Sequence, residues 1–223
     1  MKAVLFGSIG SIVETSELQR LSFNEAFAVH GLDWHWDRDE YISMLELSGG
    51  QSRLEAYARS KGQPIDTAAV HATKTRMFQR SLNTGTLQPR PGVAEIVSLA
   101  RREGWLLGFI STTARRSLLN ALEGAQSICA DDFDLITADD LALRQKPDPA
   151  AYAYALEAFA VEPQGAIAIE DNPSGVHAAV NAGVPVIAFP GENTAHLDYS
   201  HADLFAVDSV YPVFEGLLAK RAA

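Results

Sequence analysis

Short, almost continuous runs of apolar residues alternate along the chain with stretches in which apolar positions recur every three or four residues. Four runs predict buried strands and a fifth is weaker; they lie at 2–6, 105–110, 166–169, 185–189 and 133–137. Helical patterns lie at 92–103, 114–123, 149–160 and 173–182. Runs that are apolar throughout favour a parallel sheet covered on both faces. The predicted fold class is therefore α/β, a doubly wound parallel sheet built from right-handed βαβ units.

The interval from about Thr15 to Gln88 breaks this alternation. It contains no convincing strand, and its helical patterns lie at 16–30, 37–47, 51–61 and 65–81. A helical block inserted after the first strand predicts a small second domain joined by two linkers. We therefore expect residues 1–14 and 89–223 to form the α/β core and residues 15–88 to form a helical cap. Ligands of such a core bind beyond the carboxyl ends of its strands.

The composition of the chain limits the classes of ligand that it is expected to bind. The chain has 18 Lys and Arg against 28 Asp and Glu, and this net charge of −10 disfavours nucleic acid. Anionic metabolites stay possible ligands, because a pocket can be positive on an acidic protein. The single cysteine, Cys129, fits a reducing compartment, and we expect the cytoplasm. The apolar runs are too short to predict a membrane span or a signal peptide.

Two segments place groups suited to phosphate next to predicted strands or helices. Ser111-Thr112-Thr113 follows the strand at 105–110, where a hydroxyl and backbone N–H groups can meet an anion. Taken alone, this segment is better explained as the N-cap of the next helix. Lys146 lies in a proline-rich turn before a helix, and a lysine charge suits phosphate. Taken alone, it is better explained as a solvated loop residue.

An acidic pair, Glu170-Asp171, ends the strand at 166–169 just before a predicted helix. Adjacent carboxylates offer the oxygen ligands that Mg²⁺ takes in proteins. Compensation of the helix dipole by negative charge explains the pair equally well.

The three segments are more specific together than separately. A hydroxyl, a lysine and an acidic pair occur in that order at successive strand ends, after a first strand and a helical insert. This arrangement resembles the haloacid dehalogenase superfamily, and the resemblance covers essentially the whole chain. The segments 31–37 and 48–53 most resemble the CbbY-type sugar-phosphate phosphatases and their β-phosphoglucomutase relatives.

The resemblance implies a nucleophile that this chain lacks. Members of the superfamily carry Asp-x-Asp-Gly-Thr after the first strand; the first aspartate attacks phosphorus and the second acts as acid and base. In this chain the two positions hold Gly7 and Ile9. Gly10 is retained, and Ser11 replaces the threonine. We therefore expect hydrolysis to be negligible.

The resemblance also implies roles for residues that are present. Ser111 and Lys146 match the hydroxyl and the cation that contact phosphate, and Glu170 and Asp171 match metal ligands. Substrate binding is implied for four further residues, Ser11, Thr112, Arg53 and Gln51. Two departures affect the insert, because Gln19 and Gln51 stand where relatives commonly have a histidine and a lysine.

Magnesium is implied by the resemblance, but charge argues against it in this chain. The carried-over groups Glu170, Asp171 and Lys146 sum to −1 without any metal, because two carboxylates are missing. A backbone loop rich in glycine can turn its N–H groups toward an anion. We expect weak, Mg²⁺-independent binding of phosphate or a sugar phosphate.

Two residues near the first strand are candidate substitute nucleophiles. Ser8 is adjacent to the missing aspartate, but alternation along a strand directs it away from the side of residue 7. Glu14 lies near the start of the insert, where an acid compensates a helix dipole. The leading prediction is thus a CbbY-like protein that binds a phosphometabolite or a partner. One alternative is an active Mg²⁺-dependent phosphohydrolase with an unrecognised nucleophile, and another is a decayed duplicate with no selected role.

Overall fold

A computed structural model describes residues 1–45, 49–83 and 87–222. The chain divides into two compact units. The core unit comprises Met1–Glu14 and Thr86–Ala223, and the helical unit comprises Thr15–Gly85. That the helical unit acts as a cap stays a prediction.

The core unit is built on one six-stranded sheet in which every neighbouring pair is parallel. The strands are β1 Ala3–Phe6, β2 Leu106–Ile110, β3 Leu135–Thr137, β4 Ala166–Glu170, β5 Val186–Ala188 and β6 Leu204–Phe205. Their order across the sheet is β3-β2-β1-β4-β5-β6. The predicted α/β class with a parallel sheet is confirmed.

Strand β1 lies at the centre of the sheet, and all four of its residues are fully buried. Phe6, its last residue, is in register with Phe109 of β2 and with Ile169 of β4. Because all three strands run in the same direction, the segments that follow them emerge at one edge of the sheet. These segments contain Gly7, Ser111 and Asp171, and Glu170 is the last residue of β4 itself.

The helices of the chain are α1 Ile9–Ile12, α2 Ser16–Val29, α3 Arg38–Ser43, α4 Gly50–Ser60, α5 Thr67–Asn83, α6 Val93–Arg102, α7 Arg115–Gly124, α8 Ala150–Phe159, α9 Pro173–Asn181 and α10 Tyr211–Ala222. Strand β6 and helix α10 were not predicted. A two-residue strand offers no apolar run to detect, and α10 mixes apolar and charged residues without a clear stripe.

The helical unit, in its described residues, consists of α2 to α5 around an aromatic core. Phe23, Phe27, Trp34, Trp36 and Tyr57 are all buried there. The ring centroids of Phe23 and Trp36 are 4.7 Å apart, and those of Phe27 and Trp36 are 4.8 Å apart, which are favourable distances for aromatic pairs.

The helix predicted at 37–47 is shorter than expected, because α3 ends at Ser43. The last two residues of that prediction, and Ser48 of the CbbY-like segment, lie outside the described residues. Within the described part of the chain, no helix is both long and apolar enough to cross a membrane.

Candidate active site

The loop after β1 turns at once into the short helix α1. Ser8 is the extended residue that precedes this helix, and the Ser11 hydroxyl donates a 2.7 Å hydrogen bond to the Ser8 carbonyl. Ser11 is fully buried and Ile9 is nearly so. The hydroxyl predicted to bind substrate at position 11 therefore holds the turn of its own loop.

The carboxylate of Glu170 lies in the space that a side chain at position 7 would use. A Cβ added to Gly7 would collide with the carboxylate carbon and both oxygens of Glu170, and a Cβ added to Gly175 of α9 would do the same. Glu170 is fully buried between these two glycines. An aspartate at position 7 and the present position of Glu170 thus exclude each other.

Lys146 is the counter-ion of this carboxylate. Its ammonium donates to Oε1 of Glu170 at 2.6 Å, to the Ile110 carbonyl at 2.8 Å and to the Gly7 carbonyl. An ammonium group has three protons. All three are therefore directed at acceptors within the protein.

Tyr152 of α8 completes the buried network by donating a hydrogen bond of 2.7 Å to the same Oε1 of Glu170. Burial raises the pKa of Glu170, and Lys146 opposes that rise. Burial, and then the nearby Glu170 charge, raises the pKa of Tyr152 well above its usual value. The other oxygen of Glu170, Oε2, is buried and has no hydrogen-bond partner among the described residues.

Asp171 has different partners. Its Oδ1 accepts a 2.5 Å hydrogen bond from the Ser8 hydroxyl and a 2.9 Å bond from the Asn172 amide. Its backbone carbonyl accepts from the hydroxyls of Thr194, at 2.9 Å, and Tyr199, at 2.8 Å. The acidic pair is thus split, with Glu170 turned inward and Asp171 on the loop side.

The position of Ser8 differs from the sequence-based expectation. Strand alternation predicted that Ser8 would point away from the site, but β1 ends at Phe6 and alternation no longer applies at residue 8. Glu14, the other candidate, accepts a hydrogen bond of 2.9 Å from the backbone N–H of Glu192.

The hydroxyls after β2 are held by local hydrogen bonds. The Ser111 hydroxyl accepts from the Thr113 N–H at 3.1 Å, and the residue that caps α7 is Ala114, not Ser111. The Thr112 hydroxyl donates to Oε1 of Gln145 at 2.7 Å. Lys146 donates to the carbonyl of Ile110, the residue before Ser111, and also contacts Gly7 and Glu170. The core unit therefore brings these groups together at one edge of the sheet, the arrangement that their order at strand ends predicts.

Two cationic side chains lie in the interior of the described part of the helical unit. Arg53 of α4 and Lys74 of α5 are only 7% exposed. Lys74 donates to Oε1 of Gln19 and lies 4.9 Å from the ring centre of Phe23. Burial, and to a lesser extent the charge of Arg53, lowers the pKa of Lys74 to about 7.

His71 and Gln51 also belong to the helical unit. Burial and the charges of Lys74 and Arg53 lower the pKa of His71. Gln51 is exposed on α4 and donates a 3.1 Å hydrogen bond to Glu55. Of the two insert residues predicted to bind substrate, Arg53 therefore lies among buried cations and Gln51 at the surface.

The family follows from comparison with known proteins. A model of the haloacid dehalogenase-like hydrolases matches residues 6–189. This chain belongs to that family. The predicted resemblance is thus confirmed, and the fold is that of a haloacid dehalogenase-like hydrolase.

Individual relatives place this haloacid dehalogenase-like hydrolase near CbbY. It is 36% identical over 214 residues to Protein CbbY of Cereibacter sphaeroides, covering 91% of this chain and 90% of that protein. The structure of CbbY from Rhodobacter sphaeroides in complex with xylulose-(1,5)bisphosphate matches with a TM-score of 0.83 and 35% identity, over 92% of this chain and 93% of the other. A phosphate complex of that CbbY matches with a TM-score of 0.85 and 35% identity, over 96% of both chains.

Haloacid dehalogenase-like hydrolases generally use Mg²⁺. Among the described residues, no three His, Cys, Asp or Glu side chains are placed to share a metal ion. Oε1 of Glu170 is already bonded to Lys146 and Tyr152, and Oε2 is enclosed by Gly7 and Gly175. Arranged in this way, the residues do not fit a Mg²⁺ site.

Two residues that organise the site, Tyr152 and Arg90, were not predicted from the sequence. Tyr152 is one of several aromatic residues in predicted helices, and its contact with Glu170 depends on how α8 packs against the sheet. Arg90 donates to the carbonyls of Gly10 and Phe189, at 2.8 and 2.6 Å, and so joins the loop after β1 to the segment after β5. In the sequence, Arg90 lies in the proline-rich segment 88–92, which is typical of a linker, and nothing in that segment indicates these two contacts.

Proposed function

We propose that this CbbY-like chain binds a phosphorylated small molecule, a sugar phosphate or bisphosphate, and hydrolyses it at a negligible rate. The observation that carries the proposal is the Glu170 carboxylate in the space beside Gly7, where the family has its nucleophile. We do not propose nucleic acid as a ligand, because the net charge of −10 would repel its phosphates. The proposed location is the cytoplasm.

Loss of chemistry is supported by the groups at positions 7 and 9. Covalent catalysis by carboxylate requires an acid group in line with phosphorus, and glycine has none. The buried Ile9 side chain cannot transfer a proton to a leaving group. Loss of the nucleophile alone typically lowers kcat by roughly 10⁴–10⁶.

Ligand binding is supported by the cations of the helical unit. Burial lowers the pKa values of Arg53, Lys74 and His71, so a positive charge on any of these side chains is costly. A bound anion would offset that cost and would favour the protonated form of Lys74. Phosphate, with two charges near neutral pH and several acceptor oxygens, suits such a cluster.

The relatives indicate the class of ligand. The CbbY structures contain xylulose-(1,5)bisphosphate or phosphate. A Thermotoga maritima relative, 27% identical over 185 residues, is a phosphorylated carbohydrates phosphatase. Sugar phosphates are therefore the first ligands to test.

Calorimetric titration with a pentulose bisphosphate, in buffer containing EDTA, tests binding. We expect saturable binding by the wild type and a loss of at least about tenfold in affinity for Arg53→Met and for Lys74→Met, because each removes a charged contact with phosphate. Arg59→Met is the matched control, since Arg59 lies on the same helix α4 and is exposed. Absence of binding, or equal losses in Arg53→Met and the control, would contradict the proposal.

One observation favours the rival function of an active phosphohydrolase. The Ser8 hydroxyl donates a 2.5 Å hydrogen bond to Asp171, and a carboxylate in that position can accept its proton. An aryl-phosphate assay separates the two functions. We expect turnover at the level of buffer in the wild type; turnover well above buffer that Ser8→Ala abolishes would establish the rival.

A further inference from the structure

We infer that the Lys146 ammonium, and not a divalent metal ion, is the counter-charge of the Glu170 carboxylate in this chain. Glu170 occupies the place where the nucleophile's side chain would lie, and the core site is a closed, metal-free ion pair. This inference deepens the proposed function and rests on it in one respect, the assignment of position 7 to the nucleophile.

The first step is steric. Two positions without a Cβ, Gly7 on the loop after β1 and Gly175 in the first turn of α9, enclose the end of the Glu170 side chain. A side chain at either position would meet the carboxylate. Glu170 can therefore adopt this position only because residue 7 is a glycine and not an aspartate.

The second step concerns Glu170 itself. A metal ion in an oxygen site takes carboxylates that face a water-accessible space. Here Oε1 receives two hydrogen bonds, from Lys146 at 2.6 Å and from Tyr152 at 2.7 Å, while Oε2 is sealed from solvent. A buried carboxylate needs a paired charge, and Lys146 supplies it.

The third step concerns Asp171, the other acid of the pair. Ser8 and Asn172 both donate to its Oδ1, and the nearby Arg90 charge interacts favourably with it. A Cβ at Gly10 would collide with its Oδ2, so the loop backbone packs closely against this carboxylate. Protein donors and cations thus compensate both acids, and the electrostatic demand that would attract Mg²⁺ is largely removed.

The test measures metal binding directly, with Mn²⁺ as the probe and its free-ion electron paramagnetic resonance signal as the readout. We expect the wild type to leave Mn²⁺ free at millimolar concentration. Gly7→Asp with Ile9→Asp should expel Glu170 toward the loop and bind one Mn²⁺ per chain, with an affinity at least about tenfold higher than that of the wild type. Mg²⁺ should compete for that site.

Gly216→Asp is the matched control, because Gly216 lies in α10 and a Cβ there meets nothing within 4 Å. It should bind Mn²⁺ no better than the wild type. Saturable binding of one Mn²⁺ by the wild type, abolished by Glu170→Gln, would overturn the inference.

A second variant covers the case in which the double substitution does not fold. Lys146→Met removes the counter-charge, so Mn²⁺ should raise the thermal unfolding temperature of this variant and leave that of the wild type unchanged. Equal responses of the two proteins would also overturn the inference. None of these results depends on sugar-phosphate binding, which is measured in EDTA, so failure of either proposal can be recognised separately.

Discussion

Oε1 of Glu170 accepts a 2.6 Å hydrogen bond from Lys146, although Glu170 is fully buried and the Lys146 side chain is only 10% exposed. A pair of this kind contributes little net stability compared with apolar residues, because both charges have lost their hydration. The two side chains nevertheless depend on each other, because removing either one would leave an unpaired charge in the protein interior.

Lys146→Met should therefore be strongly destabilising. We expect the free energy of unfolding to fall by about 3–5 kcal/mol, the usual consequence of removing one partner of a buried pair. Urea unfolding followed by circular dichroism measures the loss. Lys220→Met, at an exposed position of α10, is the control and should change stability by no more than about 0.5 kcal/mol. A loss equally small for Lys146→Met would show that Glu170 is neutral in the folded protein.

Restoring both aspartates should restore phosphatase chemistry. The backbone of Gly7 lies outside the left-handed region, so the obstacle to Gly7→Asp is the end of the Glu170 side chain, which can rotate away. We expect Gly7→Asp with Ile9→Asp to hydrolyse an aryl phosphate in the presence of Mg²⁺, at a rate far above that of the wild type.

Each single variant is the control for this experiment. Gly7→Asp alone should be slow, because leaving-group protonation is missing, and Ile9→Asp alone should be inactive, because it has no nucleophile. Activity in Ile9→Asp alone would mean that another group, such as Ser8, attacks phosphorus.

The strands of the core unit could be predicted where a run of apolar residues marks them in the sequence. Strands β1, β2 and β5 are apolar throughout, and β4 is apolar up to Glu170, because both faces of the central sheet are covered. Such runs are visible in the sequence. The family motifs were predictable because Ser111, Lys146 and the acidic pair follow or precede these elements at recognisable spacing.

The conformation of the site was not predictable in the same way. The inward turn of Glu170 depends on the missing side chains at Gly7 and Gly175, which are far apart in the sequence. Its hydrogen bond from Tyr152 depends on the packing of α8. These relationships connect several segments at once, and no single pattern along the chain carries them.

Lys74 should make stability depend on pH. Burial lowers its pKa from 10.5 to about 7, so between these values the unfolded chain binds a proton that the folded chain does not. Stability should therefore rise as the pH increases from 7 toward 10, by up to about 1.4 kcal/mol per pH unit.

Urea unfolding at pH 7, 8 and 9 measures this slope, and Lys74→Met is the comparison. Burial raises the pKa values of Tyr41 and Tyr57 above 10.0, so their effect on stability begins only near pH 10, where they ionise in the unfolded chain, and lies above this range. The slope should be smaller in Lys74→Met than in the wild type. Parallel slopes would contradict the assignment of a low pKa to Lys74.

Arg90 should stabilise the core unit through its shape as well as its charge. Its guanidinium donates to the carbonyls of Gly10, Phe189 and Pro190, at 2.8, 2.6 and 2.5 Å, and stacks 3.5 Å from the ring centre of Phe189. Lysine cannot reproduce this planar arrangement of donors. We expect Arg90→Lys and Arg90→Gln each to lower the free energy of unfolding by about 2–4 kcal/mol, since buried carbonyls lose their partners.

Arg116→Gln, at an exposed position of α7, is the control and should be nearly neutral in the same urea titration. If Arg90→Lys is as stable as the wild type, then charge alone accounts for the role of Arg90, because a single ammonium cannot bridge the three carbonyls while stacking on the ring.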